Sequence, residues 1–140
     1  MTETIDMESI DGALAQINFG PDGLVASVAQ QFDTGEVLMV AWMNHEAVLL
    51  TLAEGRACYW SRSRRTLWRK GESSGQIQRL YEMRLDCDGD TVLLLVDQTG
   101  VACHTGRRSC FYRADRNGTI ATIMEVETTP ERLYGPSGQR

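Results

Sequence analysis

The chain has 140 residues, 42% of them hydrophobic and 24% charged, with a formal net charge of −5. That length fits one domain with a core of its own, and no apolar run reaches the roughly 18 residues that a membrane-spanning helix needs. The acidic balance excludes a nucleic-acid coat, because phosphate contacts need a broad basic surface. The charge is unevenly spread: Met1 to Gly55 holds nine acidic residues and no Lys or Arg, whereas Arg56 to Lys70 holds six basic residues and no acid. The basic stretch points to a small phosphorylated ligand or to a solvated loop. Met1 to Asp11 is acidic and lacks the pattern of a secretory signal, so a cytoplasmic protein is expected.

In chain order, Leu24–Phe32 and Glu36–Met43 read as strands joined by the turn Asp33-Thr34-Gly35. Asn44 is placed to cap a helix over His45–Glu54, and Gly55 to end it in the left-handed conformation. Arg56–Ser61 reads as a strand, and Arg62–Gly75, polar and basic, as a functional loop. From Ile77 to Cys87 the pattern alternates, with Ile77, Tyr81, Met83, Leu85 and Cys87 on one face and Gln78, Glu82, Arg84 and Asp86 on the other; Arg79 and Leu80 break it. Asp88-Gly89 signals a hairpin, and Thr91–Val96 is an apolar run suited to a buried strand. Gln98–Ser109 reads as an ordered loop, followed by short strands around Cys110–Arg113 and Thr119–Val126 and a tail after Thr129 expected to be mobile. These elements predict a β-rich α+β fold: a small single domain of antiparallel or mixed sheet with one main helix.

Cysteine carries the first chemical signal. Cys103 and Cys110 stand seven residues apart with His104 beside the first, and Cys87 lies upstream at a hairpin tip. Three thiolates with an open fourth position are the layout of a catalytic zinc, which lowers the pKa of bound water from about 15.7 to about 7. The spacing alone leaves catalytic zinc and inert buried thiols both open. Cys58, between Ala57 and Tyr59, reads as core, and His45 as surface. The turn Asp86-Cys87-Asp88-Gly89-Asp90 crowds three carboxylates into five residues, which suits a hard cation or a solvated acidic turn. It is not an EF-hand, since the sixth position would be Thr91 and the twelfth Asp97. Ser61-Arg62-Ser63-Arg64 and Lys70-Gly71-Glu72-Ser73-Ser74-Gly75 offer guanidinium forks, the chain's one lysine and small hydroxyls for a phosphate. Trp60 and Trp68 suit either core packing or stacking on a base.

Taken together these segments resemble the phosphoribosyl-AMP cyclohydrolase family. The resemblance is carried by Ala41-Trp42-Met43-Asn44, Tyr59-Trp60-Ser61-Arg62-Ser63-Arg64, Leu67-Trp68 with Lys70-Gly71-Glu72, Ser74-Gly75, Asp86-Cys87-Asp88 with Asp90, Ala102-Cys103-His104-Thr105-Gly106 and Ser109-Cys110-Phe111. It runs from about Leu24 to Tyr112. It implies a zinc site at Cys87, Cys103 and Cys110, a magnesium site at Asp86, Asp88 and Asp90, and proton transfer by His104. The implied reaction is hydrolytic opening of an N1-ribosylated adenine at N1–C6 by zinc-activated water, in histidine biosynthesis. Arg62, Arg64, Lys70 and Glu72 are then expected at the substrate, a small molecule with phosphate on both ribose units. The resemblance also implies an intertwined homodimer in which Cys87 crosses to the partner's zinc. The alternation after Ile77 agrees with this, for it sets Cys87 opposite Asp86. Some relatives carry a fused pyrophosphohydrolase domain; the residues after Tyr112 are too few for one, so that earlier step is expected of another protein. A base deaminase is disfavoured, since neither H-x-E nor C-x-E with a later P-C-x-x-C is present. A structural zinc module would need Cys58 as a fourth ligand.

Overall fold

The computed structural model describes residues 7–135. Strand β1 (Val25–Gln31) buries every second residue and pairs antiparallel with β2 (Val37–Met43) across the expected turn. Gly35 makes that turn possible, with φ 80 and its N–H donating to the Gln31 carbonyl at 3.0 Å. Helix α2 (His45–Glu54) has the limits the sequence indicates. The Asn44 side-chain oxygen accepts from the Ala47 N–H at 2.8 Å, and Gly55, at φ 73, donates its N–H to the Thr51 carbonyl at 2.9 Å.

Arg62–Gly75 is not the unbroken loop expected from its charge. Strand β3 (Cys58–Ser61) turns through Arg65, which takes a positive φ of 54, into β4 (Thr66–Arg69), and the two pair antiparallel over four residues. Thr66, Leu67 and Trp68 favour a pleated surface, and basic neighbours masked that preference. Strand β5 (Gln78–Leu85) also corrects the sequence reading. Its register slips between Leu80 and Glu82, so Tyr81 bulges outward and stacks on Phe32 with ring centroids 3.9 Å apart. The inward residues are therefore Gln78, Leu80 and Met83, and the break in alternation at Leu80 marks the bulge.

Strand β6 (Thr91–Gln98) pairs antiparallel with β5 through the Asp86–Asp90 turn and parallel with β1. The result is one mixed six-stranded sheet in the order β4-β3-β2-β1-β6-β5. The residues around Cys110 form no strand. β7 (Arg113–Arg116) and β8 (Thr119–Thr122) make a separate hairpin, whose turn residues Asn117 and Gly118 both have positive φ (56 and 82), the type I′ pattern.

Two further helices correct the expectation of one main helix. α1 (Met7–Ala15) lies in a segment to which the sequence reading gives no element. Its Ser, Asp and Gly are weak helix formers, and it is held by burying Ile10 and Leu14, four residues apart on one face. α3 (Pro130–Tyr134) occupies the tail expected to be mobile; Thr129 caps it, Pro130 starts it and Leu133 is buried. The rest of that tail lies outside the described residues.

α1 and α2 cover one face of the sheet, where Ile10, Leu14, Ala47 and Val48 join Val25, Ala29, Leu38, Val92, Leu94 and Val96 in the core. On the other face, Val28 sits in register between Val40 and Leu93, and Ala26 between Trp42 and Thr91; these residues are partly or fully exposed. No helix among the described residues is long and apolar enough to cross a membrane.

Replacing Asn44 with Ala removes the cap acceptor and is expected to cost about 1 kcal/mol. A lower denaturant midpoint at unchanged slope measures it. An unshifted midpoint would mean that the cap contributes nothing.

Candidate active site

The loop after β6 closes on itself as a small hairpin. The Ala102 N–H donates to the Arg108 carbonyl at 2.9 Å, the Cys103 N–H to the Arg107 carbonyl at 3.1 Å, and the Gly106 N–H to the Cys103 carbonyl at 2.9 Å. Cys103-His104-Thr105-Gly106 is thus a tight turn. Gly106 sits at φ 90, and a Cβ there would lie 1.8 Å from the Thr128 carbonyl oxygen, so no other residue fits. The turn keeps Cys103 buried, with the Thr105 hydroxyl donating to its sulfur at 3.0 Å, and leaves His104 exposed. Cys110 is pinned to the sheet by its own N–H, which donates to the Leu38 carbonyl at 2.7 Å.

His104 and Cys110 line a cleft of about 360 Å³ with Arg64, Trp68, Lys70 and Glu72. Four of the residues expected from sequence at the substrate or in proton transfer (Arg64, Lys70, Glu72 and His104) therefore share one cavity. Lys70 is half-buried, its ammonium donates to the Ala102 carbonyl, and it lies 5.8 Å from the Trp68 ring centroid. Arg62 stands apart, over the Trp42 ring at 4.6 Å in a neighbouring shallow depression that includes Trp60. Trp68 packs against Tyr59, with ring centroids 5.1 Å apart, and also lines the cleft.

The acidic turn is not part of this cavity. Cys87, Asp86, Asp88 and Asp90 are all exposed and precede β6, whereas Cys103 and Cys110 follow it. The strand between them in the chain has eight residues and is roughly 25 Å long. Among the described residues, no three His, Cys, Asp or Glu side chains cluster as a metal site. Within the turn, the Asp90 N–H donates to the Asp86 carboxylate at 3.1 Å. A hydrogen bond between the Asp86 and Asp90 carboxyl groups, and next the charge of Asp86, hold the Asp90 carboxyl above its ordinary pKa.

A buried polar relay, absent from the sequence reading, supports the cleft. The Tyr59 hydroxyl donates to the Gln78 side-chain oxygen at 2.6 Å, and the Gln78 amide donates to the Gln98 oxygen at 2.8 Å. The Gln98 amide donates to the carbonyls of Thr99 and Gln76 at 2.9 and 3.0 Å. Arg108 completes the anchor, donating to the carbonyls of Gln98 and Gly100, to the Gln31 side-chain oxygen and to Glu36. The available signal was a glutamine on each strand at one end of the β5–β6 pairing, Gln78 opposite Gln98, where an apolar residue is usual. Burial, and next the charge of Cys110, push the Tyr59 phenol far up, which keeps it a neutral donor.

The sequence profile of the phosphoribosyl-AMP cyclohydrolase family matches residues 39–112. A phosphoribosyl-AMP cyclohydrolase of Rhodospirillum centenum is 66% identical over 126 residues, covering 90% of this chain and 95% of the relative. Those of Granulibacter bethesdensis and Rhodospirillum rubrum are 65% and 63% identical over 120 and 125 residues, covering 85% and 89% of this chain and 94% and 87% of the relatives.

Cys58 belongs to the core, as the sequence indicates, and burial pushes its thiol up to about 11. That leaves roughly a hundredfold less thiolate at neutral pH than an unperturbed thiol. Iodoacetamide is expected to label Cys58 at least about a hundredfold more slowly in the folded protein than in urea, with the rate still rising with pH up to about 11. Equal rates, read by mass spectrometry, would place Cys58 outside the core.

Proposed function

The chain belongs to the phosphoribosyl-AMP cyclohydrolase family, hydrolases of histidine biosynthesis, and we propose that the cleft of His104, Cys110, Lys70 and Glu72 is where the adenine ring is opened. The observation that carries this reading is that one cavity joins a histidine and a cysteine on one wall to basic residues on another. Incubating the protein with phosphoribosyl-AMP and following the ring-opened product tests it directly.

Ribosylation at N1 leaves the purine electron-poor, so water adds at C6 and the C6–N1 bond breaks, making C6 a carboxamide carbon. In this reading His104 takes a proton from the water and returns it to the departing N1. Its exposure on a rigid turn lets it reach both atoms. Arg64 and Lys70 meet the phosphates of the substrate from the β3–β4 side, with Glu72 at the ribose, and Arg62 reaches the substrate from the neighbouring depression. The donor chemistry fits zinc: Cys103 and Cys110 flank His104 in one loop, and bound zinc supplies water that ionises near neutral pH. Asp86, Asp88 and Asp90 fit a hard cation such as magnesium, whose charge would relieve the crowding that raises Asp90.

The third thiol, Cys87, comes from a second copy of the chain in this reading. Among the described residues of one chain Cys87 forms no cluster with Cys103 and Cys110, and the sheet face around Val28, Val40 and Leu93 offers a second copy an apolar surface. A homodimer with shared sites satisfies both observations.

Replacing His104 with Ala is expected to leave zinc bound and to lower turnover by roughly 10² to 10⁴; unchanged turnover removes it from proton transfer. Mixing the inactive variants Cys87→Ala and Cys103→Ala under subunit exchange is expected to restore about a quarter of wild-type activity. Random pairing makes about half the dimers mixed, each with one intact site of two. No recovery, with exchange verified by mass spectrometry, would rule out the shared site.

A further inference from the structure

The family profile ends at residue 112, but the chain continues over the loop that carries His104. Beyond β8 it runs back as a strap. The Arg107 side chain donates to the Met124 carbonyl at 2.9 Å, and the Ser109 N–H approaches the Met124 sulfur at 3.3 Å. The N–H groups of Glu127 and Thr128 then both donate to the Gly106 carbonyl, at 2.8 and 3.2 Å. The strap ends in α3, which has five residues and is too short to be stable by itself. It is held by its Thr129 cap, by Pro130 in the first turn and by the buried Leu133. The next residue, Tyr134, is half-buried and lines the same cleft as His104, Cys110, Lys70 and Glu72.

We propose that Tyr134 is a substrate-binding residue, a wall of the cleft supplied by the C-terminal strap and placed against the bound phosphoribosyl purine nucleotide. This rests on the cleft being the hydrolase site. Leu133 anchors the helix and Gly106 receives the strap, so the fold is secured without the Tyr134 ring. That ring adds apolar surface with a polar tip to a cavity whose other wall holds Trp68 and Lys70, a combination suited to a heterocycle bearing sugar oxygens. It stands on the strap, while proton transfer falls to His104. Its contact is therefore made equally in the ground and transition states, which affects KM rather than kcat.

The test measures steady-state kinetics with phosphoribosyl-AMP, zinc content and melting temperature for wild type, Tyr134→Ala and Arg132→Ala. Arg132 is exposed on the same helix and serves as the control. Tyr134→Ala is expected to raise KM about tenfold with kcat within about twofold and zinc retained, and Arg132→Ala to match wild type. If Tyr134→Ala does not fold, Tyr134→Leu, which keeps apolar bulk but loses the ring, is read for the same split. An unchanged KM, or a fall in kcat that tracks a lower melting temperature, overturns the proposal. A wild type that does not turn over phosphoribosyl-AMP would instead overturn the reading of the cleft.

Discussion

The side chain of Gln98 is the joint on which the candidate site depends. It stands where β6 ends and the cysteine loop begins, and it is buried. Its oxygen accepts from Gln78, while its amide holds the carbonyls of Gln76 and Thr99. A buried amide left unpaired costs roughly 1–3 kcal/mol, so this geometry tolerates little drift. Through Gln78 the constraint reaches Tyr59 in β3, and through the backbone N–H of Gln98 it reaches Gln31 at the end of β1. Arg108 then ties the returning arm of the loop to the same groups. The loop is long and carries two thiols and a histidine, yet hydrogen bonds tie both of its arms to the sheet. An active site needs such fixity, because a misplacement of about 1 Å can cost about a hundredfold in rate.

The same sheet that fixes one end of β6 keeps the other end away. β6 is central, paired with β1 on one side and β5 on the other, and cannot bend to bring the Asp86–Asp90 turn to the loop. Asp88-Gly89 turns tightly against Asn18, which donates to both turn carbonyls, with Gly89 at φ 72 and its N–H donating to the Asp86 carbonyl. The donors that the resemblance assigns to zinc thus lie before and after a rigid strand and, among the described residues, do not cluster. In a single chain that division argues against the assignment. In a pair of chains related by a twofold axis it becomes a reason for the pair to form, which is the reading favoured above.

Much of this was legible in the sequence where one local rule decides the outcome. Asn44 and Gly55 bracket α2 because a cap acceptor and a left-handed stop are needs of the helix itself. Asp33-Thr34-Gly35 and Asp88-Gly89 declare their turns for the same reason. The parts that were not legible depend on distant partners. Thr66–Arg69 becomes a strand because β3 lies beside it, and α1 becomes a helix because Ile10 and Leu14 find a core to cover. The parallel pairing of β1 with β6 joins residues about 65 apart, and no periodicity announces it. Asn117-Gly118 was a readable hairpin signal that the sequence reading passed over, and Leu80 was a readable trace of the bulge. Among the cleft residues, residue chemistry drew attention to His104 and Lys70 and the resemblance to Glu72, while Gln78, Gln98 and Arg108 stayed hidden. Supporting residues carry no reactive group, and only packing reveals what they hold.

Lys70 shows how positioning and the proposed binding meet in one side chain. Its backbone N–H donates to Ala57 beside β3, and its ammonium donates to the Ala102 carbonyl in the cysteine loop. It therefore stitches the basic wall of the cleft to the thiol wall, so that the two move together. An ammonium offers three donor hydrogens, enough for a backbone carbonyl and a phosphate at once. A guanidinium is planar and bulkier, and would have to choose between the carbonyl and the cavity. The lysine thus fixes the spacing between the basic wall of the cleft and the loop that carries His104, the group proposed to move protons at the substrate ring.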